Sequence, residues 1–190
     1  MNSLDTLCKI YPYDPQTRAF TIPVRLGNYD EFFNPLDPSP APTRDLTPEL
    51  VEYLNQCSSE IPARYGLLIE LQVQNQLPVA QSEKECIASL RSFYQHNIFV
   101  TQAQVRRMRG RALKYLLVSF ACLALTLLGE SWSAAGFVGS LLHEALLIGG
   151  WVFMWEAVTL NFIEMDQYTQ EIHKFQRLIS AKVLFGYEKN

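Results

Sequence analysis

The chain lacks the motifs that mark the commoner classes of enzyme. It contains no glycine-rich phosphate loop, no nucleophile elbow and no HExxH zinc-protease motif. Its four cysteines, at positions 8, 57, 86 and 122, form no CxxC pair, and its three histidines are isolated. A zinc site needs closer ligand spacing, so no metal site is expected. We therefore expect a protein that is not an enzyme and that carries no cofactor.

An excess of charge of one sign is also missing. The 190 residues carry 16 Lys and Arg against 19 Asp and Glu, a formal net charge of −3. Such a balance gives no electrostatic basis for binding nucleic acid, and we expect none as a partner. The basic residues cluster instead at the edge of an apolar stretch, where anionic lipid headgroups account for them. This cluster consists of Arg106, Arg107, Arg109, Arg111 and Lys114.

Helix breakers are scarce in the second half of the chain, and the N-terminal residues do not have the pattern of a signal peptide. The start MNSLDTLCKIYPYD has neither a basic segment nor an apolar core, so no signal peptide is expected. No proline follows Glu83, and Gly110 is the only glycine between Glu83 and Gly129. The missing breakers predict one continuous helix over residues 83–128, about 69 Å long at ~1.5 Å per residue.

What the chain does have is two apolar runs, Tyr115–Leu128 and Ala145–Ile163, with a short linker Gly129–Glu144 between them. A bilayer-crossing helix needs ~20 apolar residues, and spans over 112–132 and 140–163 satisfy this. We predict a transmembrane helical hairpin. The alternative, a buried hairpin in a soluble domain, is disfavoured because the rest of the chain is too small to cover both runs.

The orientation of this hairpin follows from its flanking basic residues. The basic cluster precedes the first run, Lys174, Arg177, Lys182 and Lys189 follow the second, and the linker has neither Lys nor Arg. The positive-inside rule therefore predicts a multi-pass protein of the inner (plasma) membrane whose N- and C-termini are both cytoplasmic.

The sequence pattern of residues 1–80 predicts a small cytoplasmic α/β domain, which we call the head. Arg18–Leu26 alternates apolar and polar residues, as a strand does, and Pro23 places it at an edge. Thr47 and Pro48 predict a capped helix start, with the helix running to Ser59. Tyr65–Val73 alternates again and predicts a second strand. The fold class expected is an α+β membrane protein with a two-stranded head.

The pattern of residues 81–111 predicts an amphipathic stalk helix. A capping box formed by Ser82 and Glu85 is expected at its start. We expect residues 164–190 to form a C-terminal helix and tail, which packs with the stalk helix as an antiparallel or multi-helix coiled coil. Two strands and one helix rarely form a core alone, so either the head packs on its own stalk or two or more copies complete each other. Of these, we expect a homo-oligomer. The stalk stripe is Ile87, Leu90, Tyr94, Ile98, Thr101, Val105, Met108 and Ala112; its partner is Tyr168, Ile172, Phe175 and Ile179.

Two polar groups are candidates for function. Glu156, with Thr159 and Asn161, lies in the second apolar run, where it could line an ion path, bond a neighbouring helix or lie at the cytoplasmic interface. The second group is Asp37, Ser39, Arg44 and Asp45, in the loop before Thr47, which we call the head loop. These residues could bind a ligand or a partner, or they could stabilise the turns of the loop.

Several short motifs resemble an uncharacterised family of small bacterial two-span membrane proteins. They are FNPLDPSP at 33–40, RDL at 44–46, PELVEY at 48–53, and Gly150-Trp151-Val152 with Trp155. The family has an N-terminal "DPSP…RDL" head, and the resemblance implies the same architecture and a bacterial origin. It implies no activity. The Arg-Pro-x-Glu run that follows the second Trp in the family is replaced here by Glu156-Ala157-Val158-Thr159.

Two functions fit these features. The first is a membrane-anchored, non-enzymatic interaction or scaffold protein, oligomeric, whose head docks a cytoplasmic protein partner. The alternative is a small oligomeric channel, a transport subunit or a ligand-gated membrane effector that uses Glu156.

Overall fold

The computed structural model describes residues 3–129 and 136–187. Contacts divide the chain into two compact units. The head unit is Met1–Phe99 with Ile172–Asn190, and the hairpin unit is Val100–Glu171. The elements in order are α1 (Ser3–Ile10), β1 (Tyr13–Asp14), β2 (Ala19–Leu26), a 3₁₀ turn (Tyr29–Phe32), α2 (Pro48–Glu60), β3 (Gly66–Val73), α3 (Ala80–Leu128), α4 (Phe137–Thr159), a π-turn (Leu160–Glu164), α5 (Met165–Ser180) and β4 (Lys182–Tyr187).

The head contains a four-stranded sheet in the order β1-β2-β3-β4. β1 pairs antiparallel with β2, whereas β2–β3 and β3–β4 are parallel, with Ile22, Ile69 and Val183 in register. The prediction of a two-stranded head is therefore wrong. The tail after α5 is a strand because Lys182–Tyr187 is rich in β-prone residues and pairs with β3.

One face of the sheet forms the head core. Alternate residues of β2 and β3 are buried, as their patterns predicted, and include Ile22 and Ile69, both fully buried. Side chains from α2, α3 and α5 join the same apolar cluster: Leu50, Leu54, Cys57, Cys86, Leu90, Tyr94, Phe175 and Leu178. A single chain thus completes the core, so the core does not require a second copy, and a homo-oligomer stays a prediction.

The exposed edge of β2 is blocked along Thr21 and Pro23. The Thr21 amide donates to the Pro12 carbonyl at 2.8 Å, and Pro23 has no amide hydrogen. The Tyr53 hydroxyl of α2 donates to the Pro23 carbonyl at 3.0 Å. β2 is second in the sheet and not the edge strand that was predicted, but β1 pairs only with Ala19 and Phe20. Pro23 lies beyond that pairing, where these contacts oppose addition of another strand.

The predicted helices exist, but their starts differ. α2 spans 13 residues with Pro48 at its first position, yet the Thr47 hydroxyl donates to the Glu31 and Phe33 carbonyls and caps nothing. α3 is one helix of 49 residues, as predicted. It begins at Ala80, so Ser82 lies inside it and forms no capping box. Ser3–Ile10 forms α1 and Tyr13–Asp14 forms β1, and no pattern in the sequence predicted either element.

In the hairpin unit, α3 and α4 pack antiparallel. The Ser119 hydroxyl donates to the Gly150 carbonyl at 2.7 Å, and the rings of Tyr115 and Phe153 lie 5.9 Å apart. α4 starts at Phe137, so part of the predicted linker is helical. The predicted end of the first span, 130–132, lies outside the described residues. Among the residues that the structure describes, two helices are long and apolar enough to cross a membrane.

Candidate functional site

The head loop is organised by Asp37. One carboxylate oxygen accepts from the Ser39 amide at 2.9 Å, and the other accepts from the Asp45 amide at 2.7 Å. The pKa of Asp37 is lowered first by a hydrogen bond from the Ser39 side chain and then by those from the Asp45 and Ser39 amides, since all three favour its charged form. The carboxylate therefore closes the loop across eight residues of sequence.

The Arg44 side chain also contacts residues of the head loop. Its Nε donates to the Asp37 carbonyl at 3.0 Å, and its guanidinium lies 5.4 Å from the centre of the Phe33 ring. These contacts agree with the turn-stabilising alternative. Binding of a ligand by Asp37, Ser39, Arg44 and Asp45 stays a prediction.

A groove runs beside this loop over the outer face of α2. Its volume is about 690 Å³, within the range of ~300–1,000 Å³ typical of ligand pockets. We call it the head groove. It is lined by Asn34, Asp45, Leu46, Pro48, Val51, Glu52, Asn55, Gln56, Ser59 and Phe93.

Two hydrogen-bonded groups position the α2 side of the head groove. The buried Tyr94 donates its hydroxyl to Asn55 Oδ1 at 3.4 Å, and burial raises the pKa of Tyr94. Gln56 Nε2 donates to Glu60 at 3.0 Å, and Glu60 also accepts from the Tyr11 hydroxyl at 2.6 Å. The pKa of Glu60 is lowered mainly by the Tyr11 hydrogen bond. The polar wall of the groove is thus held in place by residues outside it.

The head groove is lined by acidic and amide side chains and by some apolar side chains. Asp45 and Glu52 are exposed carboxylates, and the half-buried Val51 and Phe93 supply apolar surface. Neither Lys nor Arg occurs among the described residues that line it. Such a groove suits a segment with basic and apolar side chains.

Sequence reasoning selected only Asp45 of the head groove. Glu52, Asn55, Gln56 and Ser59 recur at helical spacing, but the same pattern marks any solvated helix face. Phe93 is 38 residues further along the chain than Asn55 and reaches the groove only through the packing of α3 on α2. No pattern in the sequence joins these residues.

The polar residues of α4 do not converge. Glu156 is exposed, and the Thr159 hydroxyl donates back to the Trp155 carbonyl at 3.0 Å. Asn161 is exposed in the π-turn. Because Tyr115 contacts Phe153, Glu156 lies at about the height of Lys114 along the antiparallel pair.

All five side chains of the basic cluster are exposed. Arg109 differs from the others because its Nε donates to the Met165 sulfur at 3.4 Å. Within residues 3–129 and 136–187, no group of three His, Cys, Asp or Glu side chains is arranged to hold a metal ion.

Comparison with known proteins returns no relative. No protein-family model, curated protein or solved structure matches the chain. The likeness to bacterial two-span proteins stays a resemblance of motifs, and function is inferred from the residues of the chain itself.

Proposed function

We propose that this protein is a non-enzymatic docking protein of the bacterial inner membrane. The hairpin unit anchors the chain in the bilayer, and the head groove binds a segment of a cytoplasmic protein partner. The basic cluster lies at the cytoplasmic headgroups, so both termini are cytoplasmic. The head core is complete in one chain, and self-association of the anchors would bring several docking sites together.

The observation that carries this proposal is the exposure of apolar side chains in the hairpin unit. In the most apolar windows of the two long helices, only 11% and 18% of residues are buried. Trp155 is 73% exposed and Phe120 is 58% exposed. A core helix of a soluble protein buries such side chains, whereas lipid covers them in a membrane. This exposure supports a membrane location for both helices, in which lipid surrounds these side chains.

The docking role is supported by the charge and shape of the head groove. Two carboxylates, Asp45 and Glu52, stand over apolar surface. A partner segment that pairs a Lys or Arg with a large apolar side chain would complement both features.

Photocrosslinking in native membranes tests the docking role. A benzoylphenylalanine at the exposed position Gln56, which lines the groove, is expected to form a discrete adduct with one protein. The same group at Gln16, exposed in the β1–β2 turn, is the control and is expected to form no such adduct.

Charge reversal sharpens this test. Glu52→Lys is expected to abolish the Gln56 adduct, whereas Asp30→Lys, which makes the same change outside the groove, preserves it. An adduct equally strong in Glu52→Lys contradicts docking through the groove. Extraction of the intact protein from membranes by alkaline carbonate would contradict the anchoring part of the proposal.

The channel or transport alternative is favoured by one observation. Glu156 is exposed on α4, so several copies could direct this carboxylate toward a shared path. Wild-type protein in liposomes would then conduct ions or protons, and Glu156→Gln would change that flux. The absence of wild-type flux removes this alternative. Glu156 lies at about the height of Lys114, and this position fits a carboxylate at the cytoplasmic interface better than one in a central ion path.

A further inference from the structure

A second groove lies within the hairpin unit, between α3 and α4 and beside the π-turn. Its volume is about 350 Å³. We call it the Arg109 groove. The lining residues that matter here are Arg109, Ala112, Leu113, Leu116, Asn161 and Phe162.

Arg109 offers an incomplete set of hydrogen bonds in this groove. Its Nε donates to the Met165 sulfur at 3.4 Å. No acceptor for the two terminal nitrogens occurs in the part of the chain that the structure describes. A guanidinium with two parallel N–H groups unmatched fits a phosphate, which accepts both in a bidentate manner.

The remaining wall of the Arg109 groove is apolar. Leu113 is 57% exposed and Phe162 is 71% exposed, so both present carbon surface outward. The only other polar lining residue is Asn161, and the described lining residues include no acid. One cation at the end of an apolar groove complements a molecule with an anionic head and a hydrocarbon tail.

The π-turn adds a local reason for a groove at this point. Leu160–Glu164 interrupts the α-helical repeat between α4 and α5, and Asn161 and Phe162 belong to it. Such single π-turns frequently accompany functional sites because they change the direction of side chains along a helix.

We propose that the Arg109 groove binds one anionic phospholipid in a defined position. The phosphate accepts from the Arg109 guanidinium, and an acyl chain lies against Leu113, Leu116 and Phe162. This inference rests on the proposed membrane anchoring. It goes further, because a general attraction of the basic cluster for lipid would not distinguish Arg109 from its neighbours.

The test is native mass spectrometry of the full chain, delipidated in nonionic detergent and titrated with phosphatidylglycerol. One lipid is expected to bind in preference to phosphatidylcholine with the same acyl chains. Arg109→Ala is expected to weaken this binding about fivefold, the equivalent of ~1 kcal/mol for one basic residue at a lipid surface. Arg107→Ala removes the same charge from the opposite side of α3 and is expected to change binding less than twofold.

The apolar part has its own matched pair. Ala112→Leu fills the groove and is expected to reduce lipid binding, whereas Ala121→Leu adds the same bulk at an exposed site elsewhere on α3. Glycerol phosphate, which has the headgroup chemistry without the chains, is expected not to compete.

Several outcomes overturn the inference. Equal losses in Arg107→Ala and Arg109→Ala would mean bulk charge attraction alone. Equal binding of phosphatidylcholine would remove the anionic requirement, and competition by glycerol phosphate would remove the acyl chain. A carbonate-resistant protein without lipid preference contradicts only the Arg109 groove, whereas an extractable protein contradicts the anchoring on which it rests.

Discussion

Arg177 shows how one side chain joins separate parts of the head. Its Nη1 donates to the Ser58 and Ile61 carbonyls at 2.8 and 3.0 Å. Its Nη2 donates to the Pro62 and Tyr65 carbonyls, both at 3.3 Å. The C-terminal carbonyls of α2 have no partner inside their own helix, so this guanidinium from α5 caps α2.

Removing Arg177 is expected to destabilise the head. Arg177→Ala leaves four carbonyls without their charged donor, at a cost of about 3 kcal/mol. Arg177→Lys is expected to recover only part of this, because a single nitrogen replaces two. Chemical unfolding of the intact protein in detergent measures the change, with Gln176→Ala, at an exposed neighbour, as the control. Equal stability of the Ala and wild-type proteins would contradict the capping role.

The carboxylate of Asp37 gives the head loop a defined dependence on pH. Its folded pKa lies below the ordinary value of 3.8, because the Ser39 and Asp45 hydrogen bonds favour the charged form. The contribution of the Asp37 carboxylate to stability is therefore complete above pH 3.8, and it is lost as the pH falls through the folded pKa.

Amide hydrogen exchange at Ser39 and Asp45 measures this loss. Protection, corrected for intrinsic exchange rates, is expected to be constant from neutral pH to about 4 and to fall below that. Asp37→Asn keeps the shape but not the charge, and is expected to show low protection without this pH step. A step that persists in Asp37→Asn would assign the titration to another group.

At the scale of elements, the crossing of α3 and α4 depends on Gly150. A Cβ at this position would lie 2.9 Å from two atoms of Leu123, whereas a Cβ at Gly149 would meet nothing within 4 Å. The buried Ser119 also bonds the Gly150 carbonyl. The two helices therefore approach closely at one of two adjacent glycines.

Gly150→Val is expected to separate the helices, and Gly149→Val is its matched control, since both add the same β-branched side chain. Disulfide formation between cysteines introduced at Tyr115 and Phe153, in a Cys122→Ala background, reports the approach. Crosslinking is expected to fall severalfold in Gly150→Val alone. Equal crosslinking in both valine variants would show that the contact tolerates a side chain.

Strand β4 is fastened to α3 by a short chain of hydroxyls. Tyr187 donates to the Glu83 carboxylate, and its oxygen lies 2.6 Å from the Tyr29 hydroxyl. The Val79 amide in turn donates to Tyr29 at 3.3 Å. Burial and the Glu83 hydrogen bond raise the pKa of Tyr187. The edge strand is thus joined to the beginning of the longest helix.

At the scale of the whole molecule, the proposed anchoring predicts the topology of the chain. Cys8 is exposed, whereas burial raises the pKa of the Cys86 thiol to about 12 and keeps it unreactive. In intact spheroplasts, an impermeant maleimide is expected to leave Cys8 unlabelled and to label a cysteine placed at Phe137. Lysis is expected to expose Cys8. Labelling of Cys8 before lysis would contradict a cytoplasmic N-terminus.

Local patterns in the sequence were sufficient for several elements. The alternation in β2 and β3, Pro48 at the start of α2 and the absence of breakers in α3 each predict structure from neighbours in the chain. The same reasoning failed for β4, because Lys182–Tyr187 is only six residues long and gains its strand pairing from β3. The Ser82 capping box failed because α3 begins earlier.

The sequence by itself determined that this chain has two helices apolar enough for a membrane, a long uninterrupted helix and two strands with one buried face, since these follow from composition and periodicity. Only the tertiary structure decided that the head closes within one chain, that Arg177 caps α2, and that Asp45, Asn55 and Phe93 share a groove. These depend on contacts between residues far apart in sequence, which periodicity cannot report.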